Sequence, residues 1–186
     1  MTASDWASVL RRAKAMDETA FDEIVDAYAG RLYGFFRRML NASPEAEDLV
    51  QEVFVRVVKG ISQYREEGRF EAWLFRIAGN LVRDRLRLEL REDGKGATQG
   101  LGDLESRIDA RTVGAAVKLE HGEDADRLQA FLARLPAAER EVILMRYYGE
   151  LSFAEIAEYT GAPLGTALAR AHRGLGKLRQ WMESST

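Results

Sequence analysis

The chain has 186 residues, with 27 Lys and Arg against 30 Asp and Glu, 46% hydrophobic residues and no cysteine. This is globular chemistry for one large domain or two small ones, and it excludes disulfide frameworks, thiolate metal sites, iron–sulfur clusters and thiol nucleophiles together. No apolar run approaches the roughly 20 residues that span a bilayer, and residues 1–10 carry Asp5 where a signal core would be apolar, so a cytoplasmic protein without membrane insertion is expected.

The net charge of −3 is unevenly spread. Residues 1–87 hold 14 cationic and 14 acidic side chains, residues 88–126 hold 5 and 10, and residues 127–186 hold 8 and 6. The acidic middle is rich in Gly and has no aromatic residue, so it cannot build a core and reads as a flexible tether, with one short helix possible near residues 104–117. The expected architecture is all-α: two small helical domains, 1–90 and 127–186, joined by an acidic linker at 91–126.

In the first domain, Phe21, Ile24, Val25, Tyr28 and Leu32 recur at helical spacing and the pattern continues through Phe35, Phe36 and Met39, which predicts an early amphipathic helix or helix pair. Ser43, Pro44 and Glu45 then supply an N-cap, a proline at the first helical position and first-turn acid, so a second helix is predicted from there to about Ile61. Leu49, Val50, Val53, Phe54, Val57, Val58 and Ile61 fall on one face of it, Asp48, Gln51, Glu52, Arg56 and Lys59 on the other. Val55 interrupts that polar face, either as an ordinary exposed apolar residue or as part of a partner surface.

A third helix follows the turn at 63–69, with Phe70, Trp73, Leu74, Ile77, Ala78, Leu81 and Val82 toward the core. On its other side Arg76, Asn80, Arg83 and Arg87 lie within an arc of about 60°, in a stripe roughly 16 Å long bordered by Trp73. Guanidiniums flanking an amide, with an aromatic alongside, suit phosphates, a base edge and an unpaired base. The same row also suits a merely solvated face, and Trp73 suits a core.

In the second domain, Leu128, Phe131, Leu132 and Leu135 share a face, and Pro136 opens a helix through Val142, Ile143, Met145 and Tyr147 that ends at Gly149. Ser152 with Glu155 forms a capping box for a short helix that closes at Gly161. Pro163 begins a last helix carrying Thr166, Arg170, His172, Arg173, Lys177 and Arg179, cationic and without acid as far as Met182. A short helix, a Gly-containing turn and a cationic second helix make a helix-turn-helix, which places its last helix in a major groove.

Two long segments, 46–87 and 135–179, resemble regions two and four of the bacterial extracytoplasmic-function sigma factors, specificity subunits of RNA polymerase. The resemblance implies that Asp48, Leu49, Val50, Gln51, Glu52 and Val55 dock on core polymerase, chiefly its β′ coiled coil, with the β subunit as a further contact. It also implies that Tyr64, Arg65, Phe70, Trp73, Arg76, Asn80, Arg83, Asp84 and Arg87 meet the minus-ten promoter element, the turn at 64–70 trapping a flipped base. Ser152, Thr166, Arg170, His172, Arg173 and Lys177 would meet the minus-thirty-five element. Further implications are an anti-sigma partner, a free monomer, and no cofactor, metal or catalytic residue.

The chain departs from that pattern at Leu168 and Leu175, which stand where cations are usual, at Gly79 beside Asn80, and at Gly174 and Gly176, each expected to weaken the last helix by roughly 1 kcal/mol. These changes lower the expected DNA affinity of the second domain. A stand-alone helix-turn-helix regulator is the alternative reading, although it leaves the first domain unexplained. A helical-bundle enzyme is disfavoured because no Glu-x-x-His pair occurs and the two histidines, His121 and His172, lie far from any plausible carboxylate cage.

Overall fold

The computed structural model describes residues 3–41, 44–65, 68–92 and 123–184. Among these, eight helices and no strand occur: α1 (Ala3–Lys14), α2 (Glu18–Met39), α3 (Ala46–Gly60), α4 (Phe70–Glu92), α5 (Glu123–Ala133), α6 (Ala137–Tyr148), α7 (Phe153–Thr160) and α8 (Leu164–Glu183). The expected Ser43 cap, the tether from residue 93 onward with His121, and the helix at 104–117 lie outside the described residues. The second predicted helix begins at Ala46, because Pro44 and Glu45 form a turn and Glu45 is the cap residue. Its glutamate is held from another direction, by Arg85 of α4 at 2.6 Å.

Helix α1 was not anticipated from the apolar pattern. Asp5 in its first turn and Arg11, Arg12 and Lys14 in its last complement the helix dipole, and Val9, Leu10 and Ala13 are its buried face. Asp17 then caps α2 by accepting from the Thr19 amide at 2.9 Å. Along α2, buried Ala20, Ile24, Tyr28, Leu32, Phe35, Phe36 and Met39 keep the 3–4 spacing of a single long helix. Helices α1, α3 and α4 pack around it, with Val53, Val57, Leu74, Phe75, Ala78 and Val82 filling the space between. Three residues counted as apolar-face members prove exposed: Val25, Val58 and Tyr147. Each sits at the margin of its arc, and for Tyr147 it is the adjacent Tyr148 that turns inward.

The second group of helices is organised on α8, against which α6, α7 and α5 pack. Ser152 and Glu155 form the reciprocal capping box, and Gly161 closes α7 in the left-handed region at φ 67°. These local signals behave as the sequence predicts. What composition did not indicate is that α6 also lies along α2, so that both groups share one contiguous apolar core.

Gly174 and Gly176 have different roles. A Cβ at Gly174 would lie 2.7 Å from Ile143 Cδ1, so this glycine admits α6, whereas a Cβ at Gly176 would meet nothing within 4 Å. Gly176→Ala should therefore stabilise the chain by about 1 kcal/mol through helix propensity alone, raising the thermal midpoint by about 2–4 °C, while Gly174→Ala should lower it. Calorimetry that found the same sign for both substitutions would contradict this packing.

Candidate nucleic-acid and polymerase interface

The docking residues expected on α3 form a compact exposed face. Asp48, Gln51 and Val55 are exposed, with Val55 at 42%, and Glu52 accepts from Arg56 at 2.8 Å one turn on. Leu49 and Val50 are half-buried against the core and fix the orientation of that face. Helix α3 packs on α2 and α4 and presents Asp48, Gln51 and Val55 away from them.

Around the turn at 64–70, the aromatic residues expected to handle a base are packed together. Tyr64 and Phe70 are buried, and Tyr64 stands 5.0 Å from Trp73 at an interplanar angle of 36°. Phe70 contacts Trp6 and Tyr28 as well, at 5.6 Å each. Trp73 is half-buried, so it belongs to this cluster as much as to the cationic stripe. Arg65 is exposed, Gly68 takes the left-handed φ of 69°, and Arg69 projects beside it.

The stripe on α4 is not simply solvated. Arg76 donates to Glu158 at 3.1 Å, and Arg69 donates to the other oxygen of the same carboxylate at 2.6 Å, with Glu155 at 3.6 Å. Hydrogen bonds from Arg69 and Arg76 hold the Glu158 carboxyl below its ordinary range. Arg83 is mostly buried against Glu141 at 3.1 Å, with its guanidinium stacked 4.2 Å from the centre of the Tyr159 ring. Burial pushes the Glu141 carboxyl up despite that partner. Asn80 remains exposed, and Arg87 pairs with Asp84 at 3.3 Å on the exposed far end. The expectation of an open stripe is corrected accordingly: α6 and α7 cover Arg83 and Glu158 of α7 holds Arg76 at its edge, while Asn80 and Arg87 stay exposed.

The covering is matched in shape. A Cβ on Gly79 would lie 2.6 Å from Met145 Cε and closer still to the Tyr159 hydroxyl, and one on Gly34 would lie 2.9 Å from Tyr148 Cζ. Gly79 thus leaves a socket between two halves of the chain. Arg31 donates to the Tyr148 carbonyl at 2.7 Å, and Arg140, 1% exposed, donates to Asn41 Oδ1 at 2.7 Å. Burial lowers the Arg140 pKa to about 10. The reading of the sequence missed these contacts; the glycine beside Asn80 was their only visible sign.

On α8 the cations are also partly engaged. Arg173 and Lys177 reach the buried Glu139 at 3.2 and 2.9 Å, and Arg170 lies in the field of Glu141. His172 is exposed, Thr166 is half-buried, and Ser152 is occupied in its capping box. The expected outward cationic face is therefore turned in part toward α6, because Glu139 and Glu141 are buried there and require positive partners. No group of acidic or histidine side chains suited to a metal occurs among the described residues.

The described residues thus form two groups of helices, one with the exposed Asp48, Gln51 and Val55 and the arginine–asparagine stripe, the other ending in a helix-turn-helix. The family model Sigma-70 region 2 matches residues 24–92, and Sigma-70, region 4 matches residues 125–178. Among curated relatives, the ECF RNA polymerase sigma factor SigW of Bacillus subtilis is 38% identical over 92% of this chain and 93% of its own. RNA polymerase sigma factor CarQ of Myxococcus xanthus is 33% identical over 88% of this chain and 89% of its own. The structure of sigma factor RpoE in complex with the anti-sigma factor NepR from Bartonella quintana superposes with a TM-score of 0.68 at 22% identity, over 88% of this chain and 96% of that one, which shows the shared fold. The chain belongs to the ECF sigma factors of the sigma-70 family, and it is a transcription initiation factor. The alternative of a stand-alone regulator is set aside by a match that runs through both regions.

Two outcomes test the covering of α4. Gly79→Leu should force Tyr159 and Met145 out of their socket, at a cost of about 1–3 kcal/mol, and increase the radius of gyration in solution scattering while helical content is retained; an unchanged radius would argue against the packing. Arg83→Met alone should destabilise the covered state by about 3–5 kcal/mol, because Glu141 stays buried without its ion-pair partner and keeps only the Tyr159 hydroxyl, 3.4 Å away, and the field of Arg170, whereas Arg83→Met with Glu141→Leu should recover most of the loss. A denaturant double-mutant cycle with no coupling would show that the pair does not form.

Proposed function

We propose that this sigma factor binds core RNA polymerase through Asp48, Leu49, Val50, Gln51, Glu52 and Val55. By this reading it meets the minus-ten element through the turn at 64–70 and the face of α4, and the minus-thirty-five element through α8. Division into a first unit at 1–90, a tether at 91–126 and a second unit at 127–186 fits the two family matches and leaves the acidic stretch between them. The chain would act in the cytoplasm with polymerase, as a free monomer or in a one-to-one complex. No helix among the described residues is long and apolar enough to cross a membrane. Its contribution is recognition and strand separation, and bond formation is left to polymerase.

The observation that carries this reading is the contrast between two faces. Asp48, Gln51 and Val55 are exposed and ready for a partner, while Arg69, Arg76 and Arg83 are held by Glu155, Glu158 and Glu141. Polymerase can therefore engage α3 first, and promoter phosphates would then replace carboxylates at the α4 arginines. An anti-sigma partner is supported by the structural relatives, RpoE in complex with the anti-sigma factor NepR and CnrH in complex with the cytosolic domain of CnrY. Such a partner would act by preventing that sequence.

Transcription by bacterial core polymerase on a promoter pool provides the test. Position-specific starts should depend on this chain and should fall at least tenfold with Asp48→Ala and Gln51→Ala combined. Starts unaffected by that pair would show that α3 is not the docking face.

A further inference from the structure

Helix α8 has four cations, yet its first six residues contain none, and the outward side chains there include Leu164 and Leu168, at 48% and 45% exposure. Leu168 follows Leu164 by one turn, so the two lie on one line about 6 Å long. Gly165 lies between them with open space where a Cβ would be. The cations begin only at Arg170, and three of them are committed on the α6 side: Arg173 and Lys177 to Glu139, and Arg170 in the field of Glu141.

In a helix-turn-helix, the N-terminal part of the second helix meets the base edges. There the structure offers two leucines and no free guanidinium. The floor of the major groove presents hydrogen-bonding groups at every base pair, and its one apolar feature is the C5 methyl of thymine. Against guanine or cytosine, a leucine would cover polar edges without replacing the water they lose, which disfavours those pairs. Leu175 and Met182 continue the apolar line, but they lie roughly 16 and 27 Å along the axis from Leu164, beyond the part of the helix that enters a groove about 12 Å wide.

We propose that Leu168, with Leu164, is a specificity-determining residue that reads thymine methyl groups in the upstream promoter element, so that this chain selects A·T pairs where a cation in the same place would select guanine. The inference rests on the reading of α8 as the duplex-binding helix. The departure at Leu168 then changes which base is preferred.

The test uses the full chain assembled with bacterial core polymerase. A bound upstream element is first selected from random duplexes, and each thymine in it is then replaced in turn by deoxyuridine, which lacks only the methyl. The expected result is a three- to tenfold loss of affinity at one or two adjacent positions, abolished in Leu168→Ala. Because Leu168 is exposed, that variant should fold as the parent does, and circular dichroism checks it. A second variant, Leu168→Arg, should shift selection to guanine at the same step. Equal affinity for thymine and deoxyuridine throughout, or selection of guanine–cytosine pairs by the parent, would overturn the inference while leaving duplex binding intact. Failure to select any upstream duplex would overturn the reading of α8 and this inference with it.

Discussion

Everything in this fold depends on how α2 is buried. One side of it is filled by α1, α3 and α4, and another receives α6 from the second half of the chain. Gly34 is the pivot of that second contact, because only a missing side chain lets the Tyr148 ring approach the helix backbone. Apolar burial supplies the driving force, and the polar groups trapped by it must then find partners. Arg140 and Asn41, Arg31 and the Tyr148 carbonyl, and Arg83 and Glu141 meet that requirement in part, while Arg31 Nη2, Arg83 Nε and Arg140 Nε stay buried without a hydrogen bond.

The α4 arginines consequently stand between two sets of anions. Glu155 and Glu158 lie at an exposed rim, where ion pairs contribute little and are weakened by salt. Glu141 is buried, and its pairing with Arg83 matters more because neither charge can return to water in that position. The rim pairs are therefore the ones a phosphate backbone would displace at least cost, with the Arg83 pair following once Tyr159 has moved.

Much of this was legible in the sequence. Helix periodicity located α2, α3, α4 and α6, Pro163 marked the start of α8, and the Ser152–Glu155 box with Gly161 located α7 and its turn, since these signals act within a few residues. The exposed face of Asp48, Gln51 and Val55 also followed from spacing alone. The covering of α4 did not, because an arginine facing a carboxylate on a distant helix looks the same in sequence as an arginine facing water. Tyr147 and Tyr148 show the same limit: adjacent aromatics at a helix end are distinguished only by what packs there. Gly79 was read as a departure from the family pattern beside Asn80 and Gly174 as a weakness of its helix, and both are contact points for a neighbour.

The two sockets have a consequence for recombination. Gly34 and Gly79 lie in the first half of the chain, while the side chains that fill them, Tyr148 with Met145 and Tyr159, lie in the second. A hybrid that joined this first half to a second half with small residues at the positions of Met145, Tyr148 and Tyr159 would leave the cavities empty, and the reverse hybrid, with larger residues at the positions of Gly34 and Gly79, would bring the aromatics against side chains with no room for them. Exchange of halves between relatives is therefore restricted to pairs whose small and large residues already correspond across the seam, even though each half is recognisable as a region of its own.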